Sequence, residues 1–250
     1  MFRFLIAVLF AVLYLLLGIP VLAVEWIIGK SNKPLMDKSS LHMVQWALSV
    51  INHICGVRLT IIGKERIPEN RAVLFVCNHR SYFDIIIGYS LMPYLTGYIS
   101  KDDLEKVPLL RVWMRRLHCL FLNREDPKKG IQMIKDACQN INNGISMCIF
   151  PEGTRNKGEE NTLMEFKKGS FKIAERTGCP VVPIAISNTA SILSRKKPSQ
   201  KLPRVTPGHV VFEYGEPIYT DQLDRKEKKE LNLICQAQIQ GLLDKNKALV

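Results

Sequence analysis

Acidic residues are in short supply in this chain: 23 Asp and Glu stand against 35 Lys and Arg in 250 residues, a formal net charge of +12. Such an imbalance selects for an anionic partner, whether nucleic acid, a phosphorylated small molecule or an acidic membrane surface. The signatures that would accompany nucleic acid are missing. There is no zinc-finger, RNA-recognition or basic-zipper pattern, so no nucleic-acid partner is expected. C-x-x-C is absent as well, and the seven cysteines (Cys55, Cys77, Cys119, Cys138, Cys148, Cys179 and Cys235) are scattered singly. An odd, dispersed set supports neither a disulfide framework nor a zinc site, so no metal is expected. Thiols embedded in apolar runs, such as Val-Leu-Phe-Val-Cys77, read as buried and reduced. Without G-x-G-x-x-G or a Walker sequence no nucleotide cofactor is expected either. Gly144-Ile145-Ser146-Met147-Cys148 begins like a hydrolase nucleophile elbow but lacks its closing glycine.

What the chain does have is a long apolar start. From Phe2 to Ile28 only Arg3, Gly18, Pro20 and Glu25 interrupt it. A span needs roughly 20 apolar residues, and Phe4–Val24 suffices. Val21-Leu22-Ala23 resembles a signal-peptide cleavage site, but the apolar run continues past it through Trp26 and Ile28, which favours a retained anchor. Lys30, Lys33 and Lys38 follow the run while Arg3 stands alone before it, so the body is expected on the cytoplasmic face of a membrane. Pro20 leaves two forms open: one kinked span, or a helix that dips in and returns. Leu41, Val44, Leu48, Ile51 and Cys55 then recur at helical spacing. That helix either packs on the globular core or lies in the membrane interface with Trp46 at headgroup level. Residues 1–55 are accordingly read as anchor plus amphipathic helix, and 56–250 as one globular domain.

Beyond Gly56 strands and helices alternate. Strands are expected at Val57–Ile62, Ala72–Cys77, Thr96–Ser100, Cys119–Leu122, Ser146–Phe150, Val181–Ile186 and Val210–Glu213. Helices are expected at Ser81–Met92, Val107–Leu117, Pro127–Asn142, Phe166–Thr177 and from Asp221 to about Lys245, with Arg195–Pro207 a surface loop. The alternation implies an α/β fold: a largely parallel, mixed sheet covered by helices on both faces, preceded by the N-terminal hydrophobic membrane segment.

Three strand ends carry the chemistry. Ala72–Cys77 runs into Asn78-His79-Arg80-Ser81-Tyr82-Phe83-Asp84. Ligands in open α/β sheets sit beyond the carboxyl ends of strands, where His79 falls. An imidazole there can act as general base near neutral pH, and Asp84, one helical turn on, can fix its tautomer and stabilise its positive form. Ser81-x-x-Asp84 also reads as a capping box, which would account for Asp84 without catalysis. The second end is Phe150-Pro151-Glu152-Gly153-Thr154-Arg155, where Gly153 permits a tight turn, Glu152 can hold a neighbouring arginine or a backbone amide, and Arg155 offers a planar fork of donors for phosphate. Arg124, just past Phe121-Leu122-Asn123, adds a second guanidinium.

Asn-His-x-x-x-x-Asp, then Phe-Leu-Asn-Arg, Phe-Pro-Glu-Gly-Thr-Arg and Val-Val-Pro-Ile-Ala-Ile, together resemble the ordered blocks of the glycerolipid acyltransferase family, best known for its 1-acylglycerol-3-phosphate acyltransferases. Phe166–Phe171 and Gly215–Ile218 also resemble stretches of that family, so the likeness runs from about Gly56 to Ile218. The resemblance implies that His79 deprotonates an acceptor hydroxyl, which attacks the thioester of acyl-CoA or acyl carrier protein, with Asp84 orienting His79. It implies that Arg124, Glu152, Gly153, Thr154 and Arg155 hold the acceptor's phosphate end, with Lys101 nearby, and that Pro183 shapes the acyl channel. The chain departs from the family pattern in having His118-Cys119 where a glycine usually precedes the second block, and Leu109-Leu110-Arg111 in place of Phe-Phe-Gly. The expected acceptor is a lysophosphatidate, giving phosphatidic acid. The competing readings are the same chemistry on glycerol-3-phosphate or another lysolipid, and a non-catalytic protein that binds membrane lipids.

Overall fold

Leu74–Cys77 (β2) is apolar at every position and buried at every position, which is what a strand with both faces covered requires. The computed structural model describes residues 1–123, 126–194 and 203–250. On either side of β2 lie Ser146–Ile149 (β5) and Val181–Ser187 (β6), both parallel to it and buried throughout. Thr96–Lys101 (β3) continues the parallel set beside β5, and Leu120–Leu122 (β4) closes that edge. On the other side Gly208–Tyr214 (β9) pairs antiparallel with β6, and Val57–Ile62 (β1) runs parallel to β9 at the far edge. Among the described residues this gives one seven-stranded sheet in the order β1-β9-β6-β2-β5-β3-β4. The sheet is therefore mixed and largely parallel, as expected.

Successive side chains of a strand point to opposite faces, and the core divides accordingly. Phe75, Cys77, Cys148, Ile184 and Phe212 belong to one apolar cluster, sealed by Phe83 and Ile87 of helix Tyr82–Leu91. Leu74, Val76, Met147, Ile149 and Ala185 belong to the other, sealed by helices Pro127–Asn142, Lys172–Thr177 and Leu231–Asn246.

Three helices precede the sheet: α1 (Phe2–Leu17), α2 (Ile19–Ser31) and α3 (Lys33–Cys55). The apolar run breaks at Gly18, which ends α1 and caps α2; Pro20 falls in the first turn of α2, where its missing N–H is tolerated, and the two helices meet at 45°. Among the described residues no single helix is long and apolar enough to cross a membrane, while the bent pair together meets that test of length and composition. On α3, Leu41 and Cys55 are part of the first core cluster and Val44, Leu48 and Ile51 pack against it. The helix thus packs on the globular core, as one of its two readings held. Trp46 points elsewhere and stays exposed beside the rings of Phe10 and Tyr14.

A buried polar cluster ties these helices to the body. The Glu25 carboxylate accepts from Ser39 and Ser40, each at 2.7 Å, and lies 3.5 Å from the guanidinium of Arg116. Arg116 ends helix Pro108–Arg116 and also donates to the Leu22 carbonyl at 2.9 Å.

Some elements differ from expectation. Phe166 does not start a helix: its N–H donates to the Gln236 side chain and its ring fills the second core, so the helix begins only at Lys172, after a 3-10 turn over Lys168–Phe171. The carboxy-terminal helix is two, Arg225–Lys229, capped by Asp224, and Leu231–Asn246. Within the stretch expected as a loop, Arg204–Val205 (β8) pairs with Leu193–Ser194 (β7), while residues 195–202 lie outside the described part.

Candidate active site

The exit of β2 is pinned before the chemistry begins. The Asn78 amide donates to the Ile186 carbonyl at 2.9 Å and accepts from the Ile186 N–H at 2.8 Å. This fixes the end of β2 to β6 and leaves His79 at the lip of the sheet. There His79 Nδ1 meets Asp84 Oδ2 at 2.8 Å, and the imidazole stacks on Phe150 with ring centroids 4.3 Å apart. A carboxylate only accepts, so Nδ1 carries the proton and Nε2 is left to take one.

Asp84 is fully buried. Oδ2 also accepts the N–H groups of Arg80 and Ser81, at 2.6 and 2.7 Å, while Oδ1 accepts the hydroxyl of Thr189. The capping box of Ser81 and Asp84 is present as well. The two readings of Asp84 are therefore not alternatives: one carboxylate caps the helix and holds the imidazole, because both partners lie within one turn of it.

The Phe150–Arg155 turn sits against this loop. Glu152 is buried, and its two oxygens accept from the backbone N–H groups of His79 (2.8 Å) and Met164 (3.0 Å). Burial raises its pKa above the ordinary carboxylate value, and those two hydrogen bonds oppose the shift. Glu152 is thus a brace between loops and is not among the residues lining the cavity beside His79. Gly153 adopts φ 73° and closes a turn onto the Phe150 carbonyl, as the glycine there suggested. A second strut comes from Arg80, whose guanidinium donates to the carbonyls of Gly158 and Glu159, each at 2.8 Å, and pairs with Glu160.

Beside His79 opens a cavity of about 510 Å³. Thr154, Arg155 and Lys101 all contribute to its wall, so the structure brings these three expected residues together with the imidazole. The Arg155 guanidinium lies 4.0 Å from the Tyr82 ring centroid, a face-on contact that restrains its direction. Lys101 contacts Asp103, whose carboxyl is lowered to about 2 by hydrogen bonds from Lys101 and Lys106. Gly153 lines the cavity too, and Lys167 packs over it: a Cβ on Gly153 would sit 2.9 Å from the Lys167 ammonium nitrogen. Lys167 and Ser170 were not singled out as site residues. Their stretch, Phe166–Phe171, resembled the family, and an exposed lysine in it carries no periodic signal of its own. Pro183 is buried within β6, opposite Val76, and does not line this cavity. Arg124 lies outside the described residues.

Known proteins resemble this chain in fold and in sequence. A crystal structure of the 1-acyl-sn-glycerophosphate (LPA) acyltransferase PlsC from Thermotoga maritima superposes with a TM-score of 0.83 at 24% identity, covering 99% of this chain and 95% of that one. At that identity the likeness shows the fold. The 1-acyl-sn-glycerol-3-phosphate acyltransferase of Saccharomyces cerevisiae is 29% identical over 161 residues, which cover 62% of this chain and 53% of the relative. That of Cocos nucifera is 34% identical over 177 residues, 70% of this chain and 54% of the relative. The chain thus spans about half the length of these curated relatives. The sequence model of the Acyltransferase family matches residues 58–187, an interval that contains His79, Asp84, Lys101 and the Phe150–Arg155 turn. That interval is more than half of the sequence, and the chain belongs to the Acyltransferase family.

Proposed function

We propose that this protein transfers a fatty acyl group from a thioester, acyl-CoA or acyl carrier protein, to the free hydroxyl of 1-acylglycerol-3-phosphate, forming phosphatidic acid. The observation that carries the reading is the Asp84–His79 pair opening onto a cavity that also presents Arg155 and Lys101. His79 Nε2 takes the hydroxyl proton as the oxygen attacks the thioester carbonyl, and Asp84 stabilises the imidazolium that forms. The tetrahedral intermediate then collapses, the C–S bond breaks, and the imidazolium returns its proton to the thiolate. The proton accounting closes on His79, with no cofactor or covalent enzyme intermediate in the scheme. Arg155, Lys101 and Thr154 hold the acceptor phosphate, and Arg124 is assigned there by its place in the sequence. Glu152 serves that site through the backbone of His79.

The acceptor carries an acyl chain, so the enzyme works at a membrane. Supporting this are the exposed apolar side chains of the first helices, among them Leu9, Leu17, Ile27 and Trp26, with Lys30 over the Trp26 ring. Either a broken span or a helix that dips in and returns makes residues 1–55 the anchoring part and 56–250 the acyltransferase domain, facing the cytoplasm.

Release of thiol from oleoyl-CoA, measured with lysophosphatidate, glycerol-3-phosphate and a phosphate-free monoacylglycerol, tests the proposal. Lysophosphatidate should be the best acceptor, and His79→Ala should lower turnover by about 10²–10⁴-fold. A folded His79→Ala protein within tenfold of the unmodified one would remove the general base from the scheme. Transfer to glycerol-3-phosphate alone would move the acceptor assignment.

A further inference from the structure

The carboxylate of Asp84 is served unevenly. His79, Arg80 and Ser81 all donate to Oδ2, and these donors come from one short stretch at the exit of β2. Oδ1 receives Thr189, from the opposite side of the site, where β6 ends and a short helix Thr189–Ile192 begins. Thr189 is fully buried, and no other acceptor competes for its hydroxyl proton among the hydrogen bonds described. It lies two positions beyond the last residue that the family model matches.

A carboxylate held through one oxygen keeps a soft torsion about its Cβ–Cγ bond. Bonded donors on both oxygens fix its plane, and with it the direction of the lone pair that faces Nδ1. That direction matters most when positive charge develops on the imidazole, because a preorganised partner need not reorganise at that moment. We infer that Thr189 is a positioning residue for this reaction: by donating to Oδ1 it locks the Asp84 carboxylate in the plane that keeps His79 aimed at the acceptor hydroxyl. The inference rests on the reading of His79 as the general base.

Thr189 is itself held in place. Asn188, just before it, has φ 68°, a left-handed conformation that asparagine tolerates. The Asn188 side chain donates to the His209 carbonyl at 2.8 Å, and its N–H lies 3.3 Å from Oε1 of Glu160. Glu160 in turn pairs with Arg80, at 3.3 Å. The hydroxyl therefore reaches Asp84 from a backbone anchored both to β9 and to the loop that carries Arg155.

Three variants of the full chain in lipid vesicles test this, with His79→Ala run beside them. Thr189→Val keeps the shape and removes the donor. Losing one hydrogen bond to a charged group corresponds to about a 10–100-fold effect, expected here in kcat with the lysophosphatidate KM unchanged within twofold. Thr189→Ser restores a hydroxyl at the same atom and should return kcat to within about threefold of the unmodified enzyme. Thr189→Cys, a weak donor of similar bulk, should behave like valine, and it carries the test if the valine protein fails to fold. The inference is overturned if a folded Thr189→Val or Thr189→Cys enzyme keeps its kcat within twofold, if serine fails to rescue, or if the loss falls in KM. An active His79→Ala protein would instead overturn the base assignment on which the inference stands, so the two failures are told apart.

Discussion

The backbone N–H of His79 donates to Oε1 of Glu152 at 2.8 Å, so the glutamate of one motif holds the main chain of the other. Its second oxygen does the same for Met164. Replacing Glu152 by alanine strands two backbone donors, and each such buried group costs about 1–3 kcal/mol. Glu152→Ala should therefore lower both the melting temperature and activity, whatever acceptor is used, which separates a brace from a phosphate ligand.

The same carboxylate makes a pH prediction. Its pKa in the folded state is raised by burial, so the folded protein binds this proton more readily than the unfolded chain. The resulting stabilisation is complete below the unfolded value and is lost as pH rises through the folded one. Glu152→Gln cannot titrate. Denaturant titrations across that range should show its stability deficit shrinking as pH rises, and a deficit that grows would contradict the assignment.

Arg155 is expected to read the acceptor's phosphate. A charge-assisted hydrogen bond is worth about 1.5–3 kcal/mol, so Arg155→Met should reduce kcat/KM for lysophosphatidate by about 10–100-fold. Use of a monoacylglycerol and the KM for acyl-CoA should change little. An equal loss with the phosphate-free acceptor would assign Arg155 a structural role through its contact with Tyr82.

Gly153→Ala should damage this site twice. A side chain at φ 73° carries a cost of about 1–2 kcal/mol, and the new Cβ would displace Lys167. Lys167→Met alone removes a solvent-exposed charge, so its effect on acceptor KM should be about two- to fivefold, well below that of Gly153→Ala. Steady-state kinetics on the two variants checks the order.

Membrane attachment and internal packing of the first helices should separate by mutation. Leu17 and Ile27 are 72% and 63% exposed, and their double replacement by glutamate should release the protein from vesicles without lowering its melting temperature. Arg116→Leu should do the reverse, because it leaves the buried Glu25 carboxylate without its cation, and breaking a buried pair costs about 3–5 kcal/mol. Deleting everything before Ser39 would mix both effects, since Ala7, Leu22 and Glu25 are buried.

Much of this architecture was legible in the chain itself. Apolar strands that bury both faces announce themselves locally, so β2, β5 and β6 stood out as continuous runs, and the His79–Asp84 spacing lies within one loop and one helical turn. Proline at position 20 predicted a kink or break by its missing N–H. Where neighbouring residues decide a conformation, sequence is enough. What depends on partners distant in the chain was settled only by the tertiary structure. The antiparallel pairing of β9 with β6, the release of Phe166 from helix into the core, and the ties from Glu25 to Ser39, Ser40 and Arg116 join residues separated by 14 or more positions or face choices that local preference leaves open. Glu152 shows the limit most clearly. A glutamate in that turn can hold an arginine or a backbone amide, and only the folded backbone decides between them: its two oxygens accept the N–H groups of His79 and Met164. A buried carboxylate must find donors, and which donors it finds is decided by the packing of two loops that the sequence keeps 73 residues apart.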